Sequence, residues 1–310
     1  MNLFNNISNI SRYHYHYLFA IENVRGVGVG YKFINGIITN ELCIHILVEK
    51  KVKENLLTYN NVIPKIYMGI KTDVIEIGIP KSLASNKFPE RYRPLKGGCG
   101  IYSKDATFHG TLGCIVFRKK FLSNKYFILS NNHVLADNNS IPIGTEVIQP
   151  SIKNGGKFEK DVVAKLSEFK SLNFTTTLTK PKNFVDCAIA ELTKKSLISN
   201  EILRLGKISG ISSANLNDNI RKVGFVSGLT SGKVISLNVT TEITYSGNKK
   251  AFFANQIFVS ASSIPGDSGS VVLDHDNKVI GLLFAAGAQG TSFVNDINLV
   301  LKELNVEIYT

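Results

Sequence analysis

Proline and glycine are too sparse in this 310-residue sequence to dominate it, with 8 and 25 residues respectively. Their scarcity excludes a Pro/Gly-dominated low-complexity protein. Charged residues are only 19% of the chain, against 44% hydrophobic residues, which excludes a disordered polymer and allows a sizeable core. No apolar stretch approaches the ~18 residues that span a membrane, and residues 18–21 are too few for the core of a secretory signal. We therefore expect a globular protein without membrane contact.

Cysteine is also rare, and the four cysteines are far apart, with no C-x-x-C pair. Each lies in or next to an apolar stretch, where cysteine usually acts as a small buried hydrophobe. They are Cys43, Cys99, Cys114 and Cys187. This usage predicts a reduced protein located in the cytoplasm.

The net charge of +12 raises the alternative of a basic nucleic-acid-binding protein. However, the lysines are scattered through an Asn- and Ile-rich chain, and no run of five or six Lys/Arg residues occurs. We therefore do not expect a nucleic-acid partner.

Two regions are predicted, separated by a charged segment with two prolines and a glycine pair at about residues 87–98. Residues 1–92 form a small α+β domain in this interpretation. It has a hairpin of strands at residues 26–32 and 41–48 with a turn at Asn35-Gly36, a short helix at residues 51–57, and a strand at residues 72–77. The alternating Gly26, Gly28 and Gly30 could suggest a nucleotide loop, but they lie inside a strand pattern, which favours a bare sheet surface.

The second region, residues 97–310, consists mainly of short strands separated by turn signals, which predicts an all-β sandwich or barrel. The strands are expected at residues 113–117, 126–130, 162–166, 186–192, 222–226, 232–236, 251–259, 270–273 and 279–284. Helical spacing occurs only near the end, where Ile297, Val300, Leu301 and Leu304 share one face and Asn295 or Asp296 can cap.

The strongest chemical signal is the sequence Ile-Pro-Gly-Asp-Ser-Gly-Ser at residues 264–270. A nucleophilic serine needs an exposed hydroxyl and nearby backbone N–H groups that can hold an oxyanion. Glycines on both sides allow a tight turn and close approach of a substrate. Taken alone, the segment is equally well explained as an ordinary surface turn.

Two further segments favour the catalytic interpretation. His133 ends an apolar strand after Ser130-Asn-Asn, and Asp186 lies inside the apolar segment Phe-Val-Asp-Cys-Ala-Ile-Ala. A buried carboxylate is costly unless it is paired or hydrogen-bonded, and support of an imidazolium is such a pairing. Asp161 is the rival for this role, but it follows Lys-Phe-Glu-Lys and has apolar neighbours on one side only.

These three segments together resemble the catalytic blocks of trypsin/chymotrypsin-type serine peptidases, and their order is that of the chymotrypsin-like class. A fourth block at residues 223–234 is similar to a hairpin of bacterial streptogrisin-like members. The resemblance covers about residues 97–310 and implies a mainly β fold. It implies a chymotrypsin-like double β-barrel, at about residues 97–200 and 205–294, with a C-terminal helix. The small α+β domain precedes it as an accessory domain that could bind a partner protein.

The resemblance also implies roles for individual residues. His133 would be general base and then general acid, Asp186 would orient it, and Ser268 would attack the carbonyl carbon of a protein or peptide substrate. The backbone N–H groups of Gly266 and Ser268 would form the oxyanion hole. No metal or other cofactor is implied.

The substrate site implied by the family lies on the strand at residues 282–287, which would pair with the substrate backbone. Its residues would be Ser262, Ser263, Phe284, Ala285, Ala286, Gly287 and Gly290. Ser262 stands where trypsin-like enzymes carry an acidic residue, so we expect an uncharged pocket that accepts an apolar or small side chain.

Departures from the family pattern leave alternatives open. Trypsin-like zymogens pair a new N-terminal amine with the Asp before the nucleophile, here Asp267, but no Arg-Ile-Val-Gly-Gly site precedes it. Either Gly97, freed by a cut after Lys96, or an internal Lys or Arg could pair with Asp267. A catalytically silent fold that acts as a protein-binding module is the alternative function. His14 and His16 are expected in a solvated tail, His45 and His109 in structural positions, and His275 in a hairpin turn.

Overall fold

The computed structural model describes residues 2–34, 36–78, 90–121, 123–288 and 290–310. The helices are α1 (Leu3–Tyr13), α2 (His16–Phe19), α3 (Asn132–Leu135), α4 (Phe158–Asp161) and α5 (Ile297–Leu304). The N-terminal strands are β1 (Val24–Ile34), β2 (Ile37–Val48), β3 (Ile66–Tyr67) and β4 (Ile70–Glu76). The strands that follow are β5 (Gly100–Ser103), β6 (Gly110–Thr111), β7 (Cys114–Arg118), β8 (Lys125–Ser130), β9 (Glu146–Ile148), β10 (Val162–Phe169), β11 (Lys182–Asn183), β12 (Ala188–Leu192), β13 (Glu201–Ile202), β14 (Gly206–Lys207), β15 (Gly210–Ile211), β16 (Asn219–Gly224), β17 (Gly228–Thr244), β18 (Lys250–Val259), β19 (Val271–Leu273), β20 (Lys278–Ala286), β21 (Ser292–Asp296) and β22 (Glu307–Ile308).

The first curled sheet has eight strands in the order β22-β7-β8-β12-β10-β9-β5-β6. Its central strands are buried on both faces because alternate side chains enter two different cores. Cys114 and Leu129 face a core shared with the second sheet, whereas Ile115 and Ile128 fill the interior of the first. This sheet confirms the first predicted barrel. The C-terminal strand β22 was not predicted, and it returns to this sheet beside β7.

The second sheet has twelve strands, with the main path β11-β18-β21-β20-β19-β16-β17-β1-β2-β4-β3. The predicted mainly β, double-barrel fold and the C-terminal helix are confirmed, and Asp296 caps α5 by accepting from the N–H groups of Asn298 and Leu299. The N-terminal unit is part of this sheet, because β1 pairs antiparallel with β17. No helix among the described residues is long and apolar enough to cross a membrane.

The β1–β2 hairpin is confirmed, but the surface at its glycines is closely covered by neighbouring side chains rather than bare. A Cβ on Gly30 would collide with the His45 ring, and a Cβ on Gly28 would collide with Val239 of β17. These contacts are the physical reason for glycine at alternate positions, so no nucleotide loop is present here. The strand predicted at residues 72–77 is confirmed as β4, whereas the short helix at residues 51–57 is reduced to a single 3₁₀ turn, Glu54–Leu56.

The solvated tail expected around His14 and His16 is wrong as a description of the N-terminus. Residues 3–13 form α1, which packs Ile7 and Ile10 into the core of the N-terminal unit, and Asn2 caps it. Both histidines are exposed at the end of this helix and at the start of α2. The apolar residues of α1 recur at i and i+3, a helical period that the many asparagines obscured.

The charged segment at residues 87–98, which is predicted to separate the two regions, is exposed only in part. Residues 87–89 lie outside the described residues, and Glu90 to Arg93 are exposed or half-buried. Leu95 is fully buried, and the N–H groups of Gly97 and Gly98 donate to the carbonyls of Glu201 and Leu112. Leu95, Gly97 and Gly98 are therefore packed into the first barrel, while Lys96 between them is half-buried and pairs with Glu201.

Candidate active site

His133 is held by the turn of helix that follows strand β8. The strand ends at Ser130, and α3 begins at Asn132, so the ring is presented at the end of a buried strand. The Asn131 side chain fixes this turn by donating to the main-chain carbonyl of Asp186, over 2.7 Å. The His133 side chain is itself buried, with 1% of the residue exposed.

Asp186 lies between β11 and β12, with buried Val185 and Cys187 on either side. Its carboxylate accepts from His133 Nδ1 over 2.6 Å and from the His133 main-chain N–H over 3.2 Å. Its own N–H donates to Asn295 Oδ1 over 2.9 Å. The cost of burying this carboxylate is therefore compensated by hydrogen bonds.

Asp161, the rival carboxylate, serves a different part of the molecule. It is buried and forms an ion pair with Arg91 over 2.8 Å, and its second oxygen accepts from the Lys157 N–H. It therefore has its own cationic partner, and the contact with His133 is made by Asp186.

Ser268 lies in a tight loop between β18 and β19 of the second sheet, where this loop contacts the first sheet. Gly266 and Gly269 on either side have φ of +104° and +95°, backbone conformations that favour glycine. Thr111 of the first sheet fixes the loop: its N–H donates to the Ser268 carbonyl over 2.8 Å, and its hydroxyl donates to the Gly266 carbonyl over 2.7 Å. A Cβ on Gly269 would collide with Ser130, three residues before His133.

Four polar groups of this site have no hydrogen-bond partner within the described part of the chain. Two are side-chain atoms, the buried Ser268 Oγ and His133 Nε2. The other two are the backbone N–H groups of Gly266 and Ser268. Leaving a buried polar group unpaired costs about 1–3 kcal/mol, and in native proteins such groups often have a catalytic role. This set offers a nucleophile, a base and two oxyanion donors.

A family model of the trypsin-like peptidase domain matches residues 113–282, more than half of the chain. The chain belongs to this family. The matched range includes His133, Asp186 and Ser268. The family resemblance seen in the sequence is thereby confirmed.

Solved bacterial proteases resemble the chain at low sequence identity. Thermobifida fusca protease A is 15% identical, with a TM-score of 0.49 over 69% of this chain and 98% of that protein. A Nocardiopsis protease is 16% identical, with a TM-score of 0.49 over 69% of this chain and 98% of that protein. Cellulomonas bogoriensis chymotrypsin is 15% identical, with a TM-score of 0.48 over 69% of this chain and 98% of that protein. No curated protein matches the chain.

In this trypsin-like chain, Asp267 has an internal partner. Lys222 of β16 donates to Asp267 Oδ2 over 2.9 Å, and both side chains are fully buried. Burial lowers the pKa of Lys222, and the carboxylate opposes that shift. Burial would raise the pKa of Asp267, but the Lys222 charge and hydrogen bonds from Ser227 hold it below its usual value. The alternative of an internal lysine is thus the one realised, and Gly97 is bonded elsewhere.

The predicted pocket residues lie around the end of β20. Ser263 is buried, and its hydroxyl lies 2.6 Å from that of Ser292. Ser262 is exposed rather than buried, and a Cβ on Gly290 would lie 3.8 Å from it. Ser262 and Ser263 therefore have different environments, although both were expected to frame the pocket.

Residues 284–286 of β20 are the part of the strand that the family resemblance assigns to the substrate. Phe284 and Ala285 are fully buried, and Ala286 is nearly so. β21 pairs with one edge of these residues, while β19 pairs with β20 only as far as Leu282. Beyond them the Gly287 N–H donates to Thr291, and the Ala288 N–H donates to the Ile77 carbonyl of the N-terminal unit. Within the described residues, the second edge of residues 284–286 has no strand partner.

Three residues of the site were missed in the sequence. Lys222 follows Arg221 in a strand of mixed polarity, Asn-Ile-Arg-Lys-Val-Gly, so it lacks the apolar neighbours on both sides that single out Asp186. Tyr245 donates from its hydroxyl to Asp186 Oδ2 over 2.7 Å, and Asn295 accepts from the Asp186 N–H. Tyr245 is 59 positions and Asn295 109 positions from Asp186, and neither has a local sequence signal.

The remaining histidines and cysteines are placed largely as predicted. His45 is buried, and its two ring nitrogens contact Ser236 Oγ at 2.5 Å and the Tyr31 carbonyl at 2.9 Å. Cys43 and Asp73 offer ligand atoms within 4.8 Å of one His45 ring nitrogen, but both ring nitrogens are already hydrogen-bonded, so a metal would have to displace one of these bonds. His109 stacks on Tyr102, and His275 is exposed in the turn before β20. All four cysteines are buried and free.

Proposed function

We propose that this protein is a serine endopeptidase in which Ser268 is the nucleophile, His133 the general base and Asp186 the residue that orients it. The observation that carries the proposal is the polarised arrangement of His133. One ring nitrogen is bonded to a buried carboxylate, and the other is buried without a partner, as is the Ser268 hydroxyl. This arrangement sets Nδ1 as the protonated nitrogen and leaves Nε2 as the base.

The proposed reaction forms and breaks an acyl-enzyme. Ser268 Oγ attacks the peptide carbonyl carbon while its proton passes to His133 Nε2, and the carbonyl oxygen becomes an oxyanion held by the N–H groups of Gly266 and Ser268. The C–N bond then breaks, and the amine leaves with the proton from His133. Water repeats the sequence on the ester, which releases the acid and restores Ser268.

The same proposal extends to the substrate and to the place of action. A substrate in extended conformation would add to the free edge of residues 284–286, and its side chain before the cut would be small or apolar, because Ser262 and Ser263 carry no charge. The four free, buried cysteines support a protein that acts in a reducing compartment such as the cytoplasm.

One observation favours the second candidate, a protein-binding module with silent or conditional hydrolysis. Ser268 and His133 are 0% and 1% exposed, so a substrate cannot reach them without a movement of the surrounding chain. In the endopeptidase proposal, this burial is a closed state that a partner or substrate opens, which would also restrain the enzyme in the cell.

An active-site serine probe such as a fluorophosphonate separates the two candidates. We expect the wild-type protein to be labelled covalently, Ser268→Ala to remain unlabelled, and Ser209→Ala, at an exposed serine far along the chain, to be labelled like the wild type. Thermal denaturation of all three proteins verifies that they are folded. A folded wild-type protein that resists labelling and cleaves no peptide library would favour the binding module.

A further inference from the structure

Tyr245 occupies the tip of the long hairpin formed by β17 and β18 in the second sheet. Its N–H donates to the Lys249 carbonyl over 2.8 Å and closes the tip. Its ring is 3% exposed and packs edge-on against Phe174, with the ring centres 5.7 Å apart. The neighbouring Ser246 accepts from Asn138, in the loop that follows α3. The hairpin of the second sheet thus reaches across to the first.

The Tyr245 hydroxyl shares a carboxylate oxygen with His133. It donates to Asp186 Oδ2 over 2.7 Å, and His133 Nδ1 lies 2.6 Å from the same oxygen. Its ring stands edge-on to the imidazole, at 5.8 Å and 69°. Burial, together with the negative charge of Asp186, raises the pKa of Tyr245 well above its usual value, so the hydroxyl remains a donor across the physiological range.

The carboxylate of Asp186 is therefore fixed from two sides. The His133 N–H holds Oδ1, and the Tyr245 hydroxyl holds Oδ2, so rotation of the carboxylate breaks at least one hydrogen bond. Hydrogen bonds to a charged group are stronger than neutral ones. A carboxylate held in this plane keeps the Nδ1–H of His133 bonded and Nε2 directed away from it.

The hairpin that carries Tyr245 is supported by the N-terminal unit. Gly26 and Val27 of β1 pair with Thr241 and Thr240 of β17, four and five residues before Tyr245. The Thr241 hydroxyl also donates to the Arg25 carbonyl over 2.8 Å. The position of the tyrosine therefore depends on a strand outside the peptidase family match.

We propose that Tyr245 is a positioning residue for the catalytic pair: its hydroxyl fixes the Asp186 carboxylate and through it the orientation of His133. This inference rests on the proposed function. Under this proposal, the β17–β18 hairpin of the second sheet contributes a residue to the active site at the first sheet. The N-terminal unit supports that hairpin.

The test is Tyr245→Phe, which keeps the ring and removes only the hydroxyl. We expect kcat to fall about 10- to 100-fold with little change in KM, the loss that one hydrogen bond to a charged group represents. The low-field proton signal of the His133 Nδ1–H in the NMR spectrum should broaden, because the carboxylate is free to rotate. Tyr67→Phe is the matched control, since that hydroxyl donates to the His14 carbonyl in the N-terminal unit, and it should change neither readout.

The two readouts separate the failure of this inference from that of the proposed function. An inactive wild-type protein would contradict the peptidase, while the Nδ1–H signal would still report on Tyr245. A folded Tyr245→Phe with unchanged kcat and an unchanged signal would overturn the positioning role. If that variant does not fold, Phe174→Leu loosens the ring and keeps the hydroxyl. For Phe174→Leu, a fall in kcat smaller than that expected for Tyr245→Phe, together with a broadened His133 Nδ1–H signal, would support the positioning role. An unchanged Nδ1–H signal would contradict it.

Discussion

Lys222 and Asp267 form an ion pair with an Nζ to Oδ2 distance of 2.9 Å, and neither side chain is exposed to solvent. The other oxygen of Asp267 accepts from the N–H groups of Val226 and Ser227. The residue before Ser268 is therefore fully bonded in the uncut chain. The loop that carries Gly266 and Ser268 is therefore held in place without the new N-terminal amine that trypsin-like zymogens gain on cleavage.

Replacing Lys222 should disturb the loop that carries Ser268. Lys222→Met leaves the Asp267 carboxylate buried and unpaired, which typically costs about 3–5 kcal/mol. We expect a fall of that size in the free energy of unfolding, measured by urea denaturation, and loss of serine-probe labelling. The double variant Lys222→Met/Asp267→Asn removes the unpaired charge and should recover much of the stability. Equal stability of Lys222→Met and the wild type would contradict this account.

The choice between the two aspartates can be tested with a pair of matched variants. Asp186→Asn cannot accept the His133 Nδ1–H in the same way, so we expect turnover to fall about 10⁴-fold while the fold is retained. Asp161→Asn removes the partner of Arg91 and should lower stability with little effect on turnover. Peptidase assays on both folded variants decide the matter, and the reverse pattern would show that Asp186 is not the third member of the triad.

Stability should depend on pH through His45. Burial lowers the pKa of His45 to about 4, from 6.5 in the unfolded chain. Because the unfolded chain binds the proton first, the contribution of His45 is complete above about pH 6.5 and is lost as the pH falls toward 4. The loss amounts to about 3 kcal/mol. Urea denaturation across this range should show the decline.

The control for this pH dependence is a pair of glutamine variants. His45→Gln should flatten the decline, while His275→Gln, at an exposed histidine, should leave it unchanged. The remaining slope in His45→Gln would come from other groups such as His109, whose pKa burial also lowers to about 4. An identical slope in His45→Gln and the wild type would contradict the role of His45.

We expect the cleavage specificity to be set by Ser262 and Ser263, which carry no charge. A peptide library should be cut after small or apolar residues, with cleavage sites identified by mass spectrometry. Ser268→Ala treated in the same way removes background from contaminating peptidases. Efficient cleavage after Lys or Arg would contradict this reading of the pocket.

Removing the N-terminal unit should unfold the rest of the protein rather than release an inhibited enzyme. Leu47 and Ile77 of that unit share a core with Phe253 and Phe284, and β17 loses its partner β1 when the unit is deleted. A protein that begins at Gly97 should therefore be unfolded or aggregated by circular dichroism. Supplying residues 1–96 as a separate chain should restore folding and labelling. A stable, fully active protein from Gly97 onward would instead support a removable accessory domain for partner binding.

The sequence alone determined much of the local structure and indicated the candidate catalytic groups. Strands such as β7, β8 and β20 are short apolar runs between turn signals, and the period of α5 is visible in its four apolar residues. The blocks around His133, Asp186 and Ser268 are local too, because a nucleophile loop needs glycines and a buried carboxylate needs apolar neighbours. Each of these signals lies within a window of about ten residues.

Only the tertiary structure decided which distant groups complete the site. Lys222 meets Asp267 across 45 positions, and Tyr245 meets Asp186 across 59. The pairing of β1 with β17, which joins the N-terminal unit to the second barrel, connects positions more than 200 apart. Side-chain partners and strand order depend on how sheets pack in space, and no periodicity along the chain encodes them, so residue patterns could indicate the catalytic groups but not the neighbours that hold them.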